Sequence, residues 1–199
     1  MLKQLTHYTS YCIRFLIQLV VITWNKATLL RRTELQTVET IAHQSPHILL
    51  ANHGHPLDPF IIPSALPYKV IIKLAPFCFM SANRFYEPWW LRPAAQLAGA
   101  FPAHQTSKNR TPYGINAAVN MLHRGYTLVI FPEGKVIKEG RIPAKSGIIR
   151  IIEQFKAKEI SLLLAHIKWK KNRTTSIRIQ AIDFNNQSAD QLMDLIYRL

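Results

Sequence analysis

Short apolar runs alternate with segments of helical periodicity along most of this chain, and that alternation limits the folds available to it. Five runs are predicted to be strands, at residues 47–51, 69–75, 127–131, 160–167 and 176–182. Five segments between and after these runs are predicted to be helices. One begins near Asp58, and the others cover residues 87–97, 111–124, 146–158 and 188–198. Strands that alternate with helices predict an α/β fold, here a single-domain mixed sheet flanked by helices. No repeat, low-complexity tract or linker interrupts residues 33–199, which are predicted to form one domain.

The first 32 residues are predicted to form an amphipathic helix of their own. Its polar positions recur at spacings of four and seven residues, at Lys3, His7, Arg14, Gln18 and Asn25. The opposite side is predicted to carry Cys12, Phe15, Leu16, Leu19 and Ile22. Arg14 and Gln18 interrupt the apolar run of residues 11–24, and no small-residue cleavage site follows, so the pattern is not typical of a signal peptide.

Three placements are open for this N-terminal helix. It can pack on the domain, span a membrane or lie in a membrane interface. The interface is favoured because Trp24, Lys26, Arg31 and Arg32 would then meet lipid headgroups. A second candidate membrane contact is EPWWLRP at residues 87–93, although paired tryptophans are equally typical of core packing.

An excess of basic residues indicates an anionic partner. Lys and Arg number 25 against 11 Asp and Glu, which gives a formal net charge of +14. The basic residues are dispersed and match no nucleic-acid motif, so no nucleic acid is expected as a partner, whereas a membrane surface with anionic lipids is. The two cysteines form no disulfide framework and indicate a reducing compartment. We therefore expect a membrane-associated protein on the cytoplasmic face.

Residues that carry chemistry cluster in NHGHPLD, residues 52–58, directly after the first predicted strand. One interpretation is a metal site, because His53 and His55 have the spacing of the His-x-His-x-Asp-His ligands of metallo-β-lactamase-type hydrolases. That pattern fails at two positions, since Asp58 comes one residue too late and Pro59 stands where a histidine is required. The remaining histidines are scattered and form no second cluster, so the sequence predicts no metal site.

The second interpretation of this stretch is a proton-transfer pair. A neutral histidine can take a proton from an alcohol through one ring nitrogen while a carboxylate holds the other. His53 and Asp58 are five residues apart across a predicted strand-to-helix turn, and Gly54 and Pro56 suit a chain that folds back there. His55 is then interpreted as a turn residue.

Four blocks in the same order resemble the glycerolipid acyltransferases, the lysophosphatidic acid acyltransferase superfamily. NHGHPLD is similar to the family's Asn-His-x4-Asp signature, and FPEGK at residues 131–135 is similar to its Phe-Pro-Glu-Gly-Thr block. LAGAFPAH at residues 97–104 resembles the block between them, and GRIPAKSGIIRI at residues 140–151 resembles the stretch that follows. The likeness runs from about residue 48 to about residue 164.

The resemblance implies a role for each matched position. His53 would be the general base and Asp58 would orient it. The implied substrate-binding residues are Asn52, His104, Arg110, Glu133, Gly134, Lys135 and Lys145. Glu133 is expected to order its loop or to pair with a nearby cation, because a carboxylate does not hold a phosphate directly.

Three positions depart from the family pattern. His104 stands where the family has a phosphate-binding arginine, a role that Arg110 or Lys108 would have to take over. Lys135 replaces a threonine and adds a positive charge where an anion is expected, and His166 stands where the family is apolar.

The resemblance implies an O-acyltransferase that needs no cofactor. Acyl-CoA or acyl-carrier protein would donate a fatty acyl chain to the hydroxyl of a lysophospholipid. The favoured acceptor is 1-acyl-sn-glycerol-3-phosphate, which would give phosphatidic acid. Two alternatives stay open, which are a different acceptor such as glycerol 3-phosphate or another lysolipid, and a non-catalytic basic lipid-binding protein on the same fold.

Overall fold

A computed structural model of the protein describes residues 2–31, 33–38, 46–82, 88–104, 113–137, 140–155, 160–170 and 173–199. The side chains of residues 2–9 and 173–175 are outside that description. The predicted Arg110 and Lys108 lie outside the described residues, as do Arg32 and residue 87.

Helices and strands alternate through the described chain. The helices are α1 (Leu2–Thr28), α2 (Asp58–Ala65), α3 (Tyr68–Leu74), α4 (Arg92–Leu97), α5 (Tyr113–His123), α6 (Gly147–Ile152) and α7 (Ala189–Arg198). The strands are β1 (Glu34–Gln36), β2 (His47–Ala51), β3 (Phe77–Ser81), β4 (Ala100–Pro102), β5 (Thr127–Ile130), β6 (Ser161–Lys170) and β7 (Arg173–Ile182).

The strands form one seven-stranded mixed sheet in the order β1-β7-β6-β2-β5-β3-β4. Strands β6, β2, β5, β3 and β4 are mutually parallel, whereas β7 runs antiparallel to β6 and carries β1 in parallel at the sheet edge. Leu50 of β2 lies opposite Ile130 of β5, so these two central strands end at the same edge. The segments that follow them, residues 52–57 and 131–137, therefore lie side by side. This is where α/β folds place their ligand chemistry.

Both faces of the sheet are covered, which explains why the central strands are continuous apolar runs. Leu49 and Val129 belong to a core that includes residues of α1, α2 and α3. Leu50 and Leu128 belong to a second core that includes residues of α5, α6 and α7. The α/β fold class and the flanked mixed sheet are confirmed.

The predicted strand at residues 69–75 is wrong, because this segment forms α3. Its buried residues are Val70, Ile71 and Leu74, whereas Lys69 and Lys73 are exposed, which is helical spacing. A short apolar run does not distinguish strand from helix by periodicity alone. The strand follows eight residues later as β3, which the sequence interpretation missed together with the three-residue strands β1 and β4.

The other predicted elements are present with altered ends. Helix α4 begins at Arg92 rather than near residue 87, and α6 ends at Ile152, before the predicted end at residue 158. The predicted start of α5 at residue 111 lies outside the described residues. Helix α7 matches its prediction, because Ser188 caps it by accepting a hydrogen bond from Gln191 N.

Helix α1 is present, but its polar stripe does not face away from the domain. Gln18 and Asn25 are each 7% exposed and share the buried side with Ile22, so the predicted separation of polar and apolar sides is wrong there. The Gln18 amide bonds Phe77 and Ala98, and Asn25 Nδ2 donates to Ser64 Oγ at 3.1 Å. The outward side is apolar and carries Ile13, Leu16, Val20, Val21 and Trp24. Within the described chain, none of the helices combines the length and the apolar character that crossing a membrane requires.

Candidate active site

The turn between β2 and α2 brings His53 and Asp58 into contact. His53 Nδ1 lies 3.0 Å from Asp58 Oδ2, and Asp58 is completely buried at the first turn of α2. The His53 ring stacks on Phe131 at a centroid distance of 4.2 Å, and its side chain keeps 15% of its surface exposed. The pair therefore combines a buried carboxylate with an imidazole that a substrate can reach.

The side-chain carboxylate of Asp58 has three hydrogen-bond partners. Oδ2 accepts from the backbone N–H of His55 at 2.8 Å as well as facing His53, and Oδ1 accepts from Trp169 Nε1 at 2.9 Å. An ionised carboxylate only accepts hydrogen bonds, so Nδ1 of His53 carries the proton on this side of the ring. Among the described residues no hydrogen bond to the opposite nitrogen, Nε2, is found, and a neutral ring with its proton on Nδ1 has Nε2 as an acceptor, which is the arrangement of a general base.

The amide of Asn52 holds the end of the sheet together. Asn52 Nδ2 donates to Ile167 O at 2.9 Å, and Ile167 N donates to Asn52 Oδ1 at 2.7 Å. The side chain thus replaces a backbone partner for β6 at the point where β2 has ended. Asn52 is 7% exposed. This geometry gives Asn52 a structural role at the end of the sheet, and its contact with substrate stays a prediction.

Glu133 links the segment after β2, residues 52–57, to its own segment after β5, residues 131–137. Its Oε2 accepts from the backbone N–H of His53 at 2.7 Å, and its Oε1 accepts from the hydroxyl of Tyr197 on α7 at 2.5 Å. Ile137 N also donates to His53 O at 2.7 Å. Burial of the phenol is the largest cause of a raised pKa of Tyr197, and the hydrogen bond to Glu133 is the second. The hydroxyl therefore keeps its proton and donates a hydrogen bond to Glu133. Glu133 thereby orders its loop through an amide and a phenol.

Lys145 lies directly over the Gly134 turn. Gly134 has a φ of +69°, and a methyl group on it would come within 2.5 Å of Lys145 Nζ. Both residues are exposed, as is Lys135 beside them. Arg141 instead turns to α7 and forms ion pairs with Asp190 and Asp194. Lys145 therefore places its ammonium group at this turn, and Lys135 is the exposed residue that follows Gly134 in the chain.

His104 lies in the turn after β4, the edge strand of the sheet. Because β4 runs parallel to β2 through β5 and β3, the turns after both strands lie at the same edge. His104 is exposed there. In the described part of the chain, no group of three or more His, Cys, Asp or Glu residues is arranged to hold a metal ion.

An apolar cavity of about 320 Å³ lies between α1, α2, α4 and β3. Its lining includes Ile17, Val21, Phe60, Pro63 and Leu97. Pro59 and Phe60, the two residues that follow Asp58 on α2, are part of this lining.

Two site residues were missed by the sequence interpretation, Trp169 and Tyr197. Each is more than 60 positions from the residue that it contacts, since Trp169 and Asp58 are 111 positions apart and Tyr197 and Glu133 are 64 apart. Nothing local in KWK or IYR distinguishes these aromatic residues from others on a strand or helix. Only the fold brings them to the site.

A buried carboxylate in contact with an accessible histidine, at the carboxyl edge of a parallel sheet, is an arrangement typical of α/β enzymes that transfer a proton. A model of the Acyltransferase family matches residues 32–165, about two thirds of the chain. The chain therefore belongs to the acyltransferase family, and the predicted O-acyltransferase class is confirmed. No curated protein sequence matches it significantly.

The fold is similar to a solved structure of that class. The crystal structure of the 1-acyl-sn-glycerophosphate (LPA) acyltransferase PlsC from Thermotoga maritima superimposes with a TM-score of 0.63. The match covers 93% of this chain and 78% of the PlsC chain, at 15% sequence identity. The predicted glycerolipid acyltransferase fold is confirmed.

Proposed function

We propose that this protein transfers a fatty acyl chain from a thioester, acyl-CoA or acyl-carrier protein, to the hydroxyl of a lysophospholipid. The observation that supports this best is the His53–Asp58 contact at 3.0 Å, which directs Nδ1 of His53 to the carboxylate and puts Nε2 on the opposite side of the ring. The favoured acceptor is 1-acyl-sn-glycerol-3-phosphate, and the similarity in fold to an LPA acyltransferase favours the same choice.

In the proposed reaction, His53 Nε2 takes the proton from the acceptor hydroxyl as its oxygen attacks the thioester carbonyl. A carbon–oxygen bond forms, and the carbon–sulfur bond breaks when the tetrahedral intermediate collapses. The proton on His53 then passes to the departing thiolate, so the enzyme is restored. Asp58 stabilises the transient imidazolium through Oδ2 and keeps Nε2 directed at the hydroxyl. No cofactor is required by this sequence of steps.

The apolar cavity is proposed to hold the acyl chain. Its lining comes from α1, α2, α4 and β3 and includes Pro59 and Phe60, which follow Asp58 directly on α2. An extended chain of methylene groups gains about 0.8 kcal/mol for each group that leaves water. The cavity would therefore favour long acyl donors over acetyl groups.

The phosphate of the acceptor is proposed to bind near Gly134. Lys145 Nζ lies over this turn, and Lys135 adds a second ammonium group beside it. A phosphate needs several such donors, and His104 at the same sheet edge supplies a third when protonated. Arg110 stays a prediction, since it lies outside the described residues.

Membrane association is proposed through the outward face of α1 and through Trp89 and Trp90. Val20 and Trp24 are each 69% exposed, Trp89 is 84% exposed and Trp90 is 66% exposed. Exposed aromatic and aliphatic side chains of this kind are typical of an interfacial surface. The net charge of +14 adds attraction to an anionic, cytoplasmic leaflet, where each nearby basic residue contributes about 1 kcal/mol.

The enzymatic proposal is tested with purified protein, a panel of lysolipids and glycerol 3-phosphate, and acyl-CoA or acyl-carrier protein as donors. We expect turnover with 1-acyl-sn-glycerol-3-phosphate and a loss of about 10²- to 10⁴-fold in His53→Ala, the range of general base catalysis. His123→Ala is the matched control, because His123 is exposed at the end of α5. Lysolipid binding without turnover of any acceptor would favour the non-catalytic alternative, and full activity of His53→Ala would remove the assigned base.

The membrane proposal is tested by sedimentation with vesicles that contain anionic or only neutral phospholipids. We expect stronger binding to the anionic vesicles and a decrease as salt screens the charges. Replacing Leu16 and Val20 by Gln should weaken binding, because both side chains point outward. Equal binding to both vesicle types would contradict the role of charge, and unchanged binding of the double variant would contradict the surface.

A further inference from the structure

Strand β6 extends beyond the end of β2, the strand that leads into the turn with His53 and Asp58. Its pairing with β2 ends where Ala51 lies opposite Ala165, but β6 continues to Lys170. The pairing of β6 with β7 shifts register between Lys168 and Trp169. Such irregularities redirect side chains and are frequent next to active sites. Here the overhanging end of β6 carries Trp169 over the turn that links β2 to α2.

Trp169 contacts this turn in three ways. Its Nε1 donates to Asp58 Oδ1 at 2.9 Å, and its ring stacks on His55 at a centroid distance of 4.2 Å and an angle of 24°. It also fills the space beside Gly54, where a methyl group would lie 3.0 Å from Cδ1 of the indole. One side chain from a distant strand therefore covers the turn and bonds its buried carboxylate.

The hydrogen bond from the indole determines how the carboxylate of Asp58 is oriented. Oδ2 already accepts from His55 N and faces His53 Nδ1, whereas the bond from Trp169 is the one found on Oδ1 among the described contacts. A carboxylate can rotate about its bond to Cβ, and a donor on each oxygen holds it in one plane. The partner on Oδ1 is thus what keeps Oδ2 directed at the histidine.

We propose that Trp169 is a positioning residue for the His53–Asp58 pair, which its indole N–H holds in the geometry needed for proton transfer. This inference rests on the proposed function. In metal sites, hydrogen-bond partners that orient a ligand contribute about 10- to 100-fold to activity, and we expect a loss of the same order here. The loss should appear in kcat with little change in KM, because Trp169 acts on the base and not on substrate binding.

The charge on Asp58 gives a second signature. Without the indole N–H, more negative charge remains on the carboxylate to stabilise the imidazolium of His53. His53 would then be protonated at higher pH, so the acid limb of the pH–rate profile should shift upward. Among the described residues, the other titratable residues bonded to the pair are His55 on the same turn, through its backbone N–H, and Glu133 from the loop after β5. A substitution at Trp169 leaves both of these in the chain.

The test compares Trp169→Phe with the wild type and combines it with Asp58→Asn. We expect Trp169→Phe to lower kcat about 10- to 100-fold and to shift the acid limb upward, while adding little further loss in the Asp58→Asn background. Losses that multiply in the double variant, or a kcat loss with an unmoved acid limb, would show that the ring serves only packing and would overturn the proposal.

A second substitution separates the N–H from the shape of the ring. Incorporation of β-(3-benzothienyl)alanine at position 169 keeps the bicyclic ring and replaces the N–H by sulfur, so it serves if Trp169→Phe does not fold. This variant should reproduce the kcat loss and the pH shift; wild-type values for both would overturn the proposal. His53→Ala is measured in parallel. If it remains fully active, the proposed function itself fails, whereas an inactive His53→Ala beside an unaffected position-169 variant refutes the inference alone.

Discussion

Replacement of Gln18 by Leu is expected to destabilise the protein, although it would make α1 more uniformly apolar. Gln18 Nε2 donates to Phe77 O at 2.8 Å and to Ala98 O at 3.2 Å, and Phe77 N donates to Gln18 Oε1 at 2.8 Å. Pairing of β3 with β4 begins only at Phe79. The side-chain amide of Gln18 therefore occupies the free edge of β3 at Phe77 and completes its hydrogen bonding.

The magnitude follows from the groups that Leu would leave without a partner. These are Phe77 N–H and Phe77 O, which are buried, and Ala98 O, which is partly buried, and an orphaned group of this kind costs about 1–3 kcal/mol. Taking the lower part of that range for three groups gives about 3–6 kcal/mol. Burial of the Leu side chain returns about 1–2 kcal/mol. The expected net loss in the free energy of unfolding is about 1–5 kcal/mol.

Urea denaturation followed by circular dichroism measures this difference. Val20→Leu is the matched control, because Val20 is 69% exposed on the opposite side of α1 and should change stability by less than about 0.5 kcal/mol. A Gln18→Leu protein as stable as the wild type would refute the inward orientation of the polar stripe. A large loss in Val20→Leu would refute it equally.

Two further predictions concern Tyr197 of α7 and His166 of β6. Tyr197→Phe leaves Oε1 of buried Glu133 without its donor, so we expect a loss of about 1.5–3 kcal/mol in urea denaturation and a lower kcat. Burial, with smaller effects from Lys168 and Arg178, lowers the pKa of His166, so the folded protein keeps it neutral. Stability should therefore fall as the pH drops below about 6.5, where the unfolded histidine gains a proton, and His166→Gln should reduce that fall between pH 7.5 and 5.5.

For each of these two predictions, a specific result would contradict it. Tyr68→Phe is the control for the phenol, because Tyr68 is exposed and its hydroxyl donates to Thr23 Oγ1 at 3.3 Å on the surface. Equal stability losses in the two Tyr→Phe variants would remove the special role of Tyr197. Identical acid-side losses in the wild type and His166→Gln would show that His166 titrates alike in the folded and unfolded chains.

The candidate site was largely predictable where its residues are close in sequence. The spacing of His53 and Asp58 across a strand-to-helix turn indicates a hydrogen-bonded pair, and the structure brings their side chains together. Glu133 was predicted to follow a second strand and to order its loop, and the structure shows that this strand lies next to β2, so that Glu133 meets His53 N. The role of Asn52 was not predictable, because an amide after a strand serves a turn, a ligand or a neighbouring strand equally well.

Local patterns by themselves determined the α/β class, the strands β2 and β5 and the positions of the His53–Asp58 turn and the Glu133 loop. Periodicity and turn chemistry act over a few residues, so they can be seen in the chain. Only the tertiary structure decided that residues 68–74 form a helix, that Gln18 faces inward and that Trp169 bonds Asp58. Gln18 and Asp58 find their hydrogen-bond partners 59 and 111 positions away, and α3 is a helix because one of its sides is buried in the core. A buried polar group needs such a partner, and local sequence patterns do not show where the partner is.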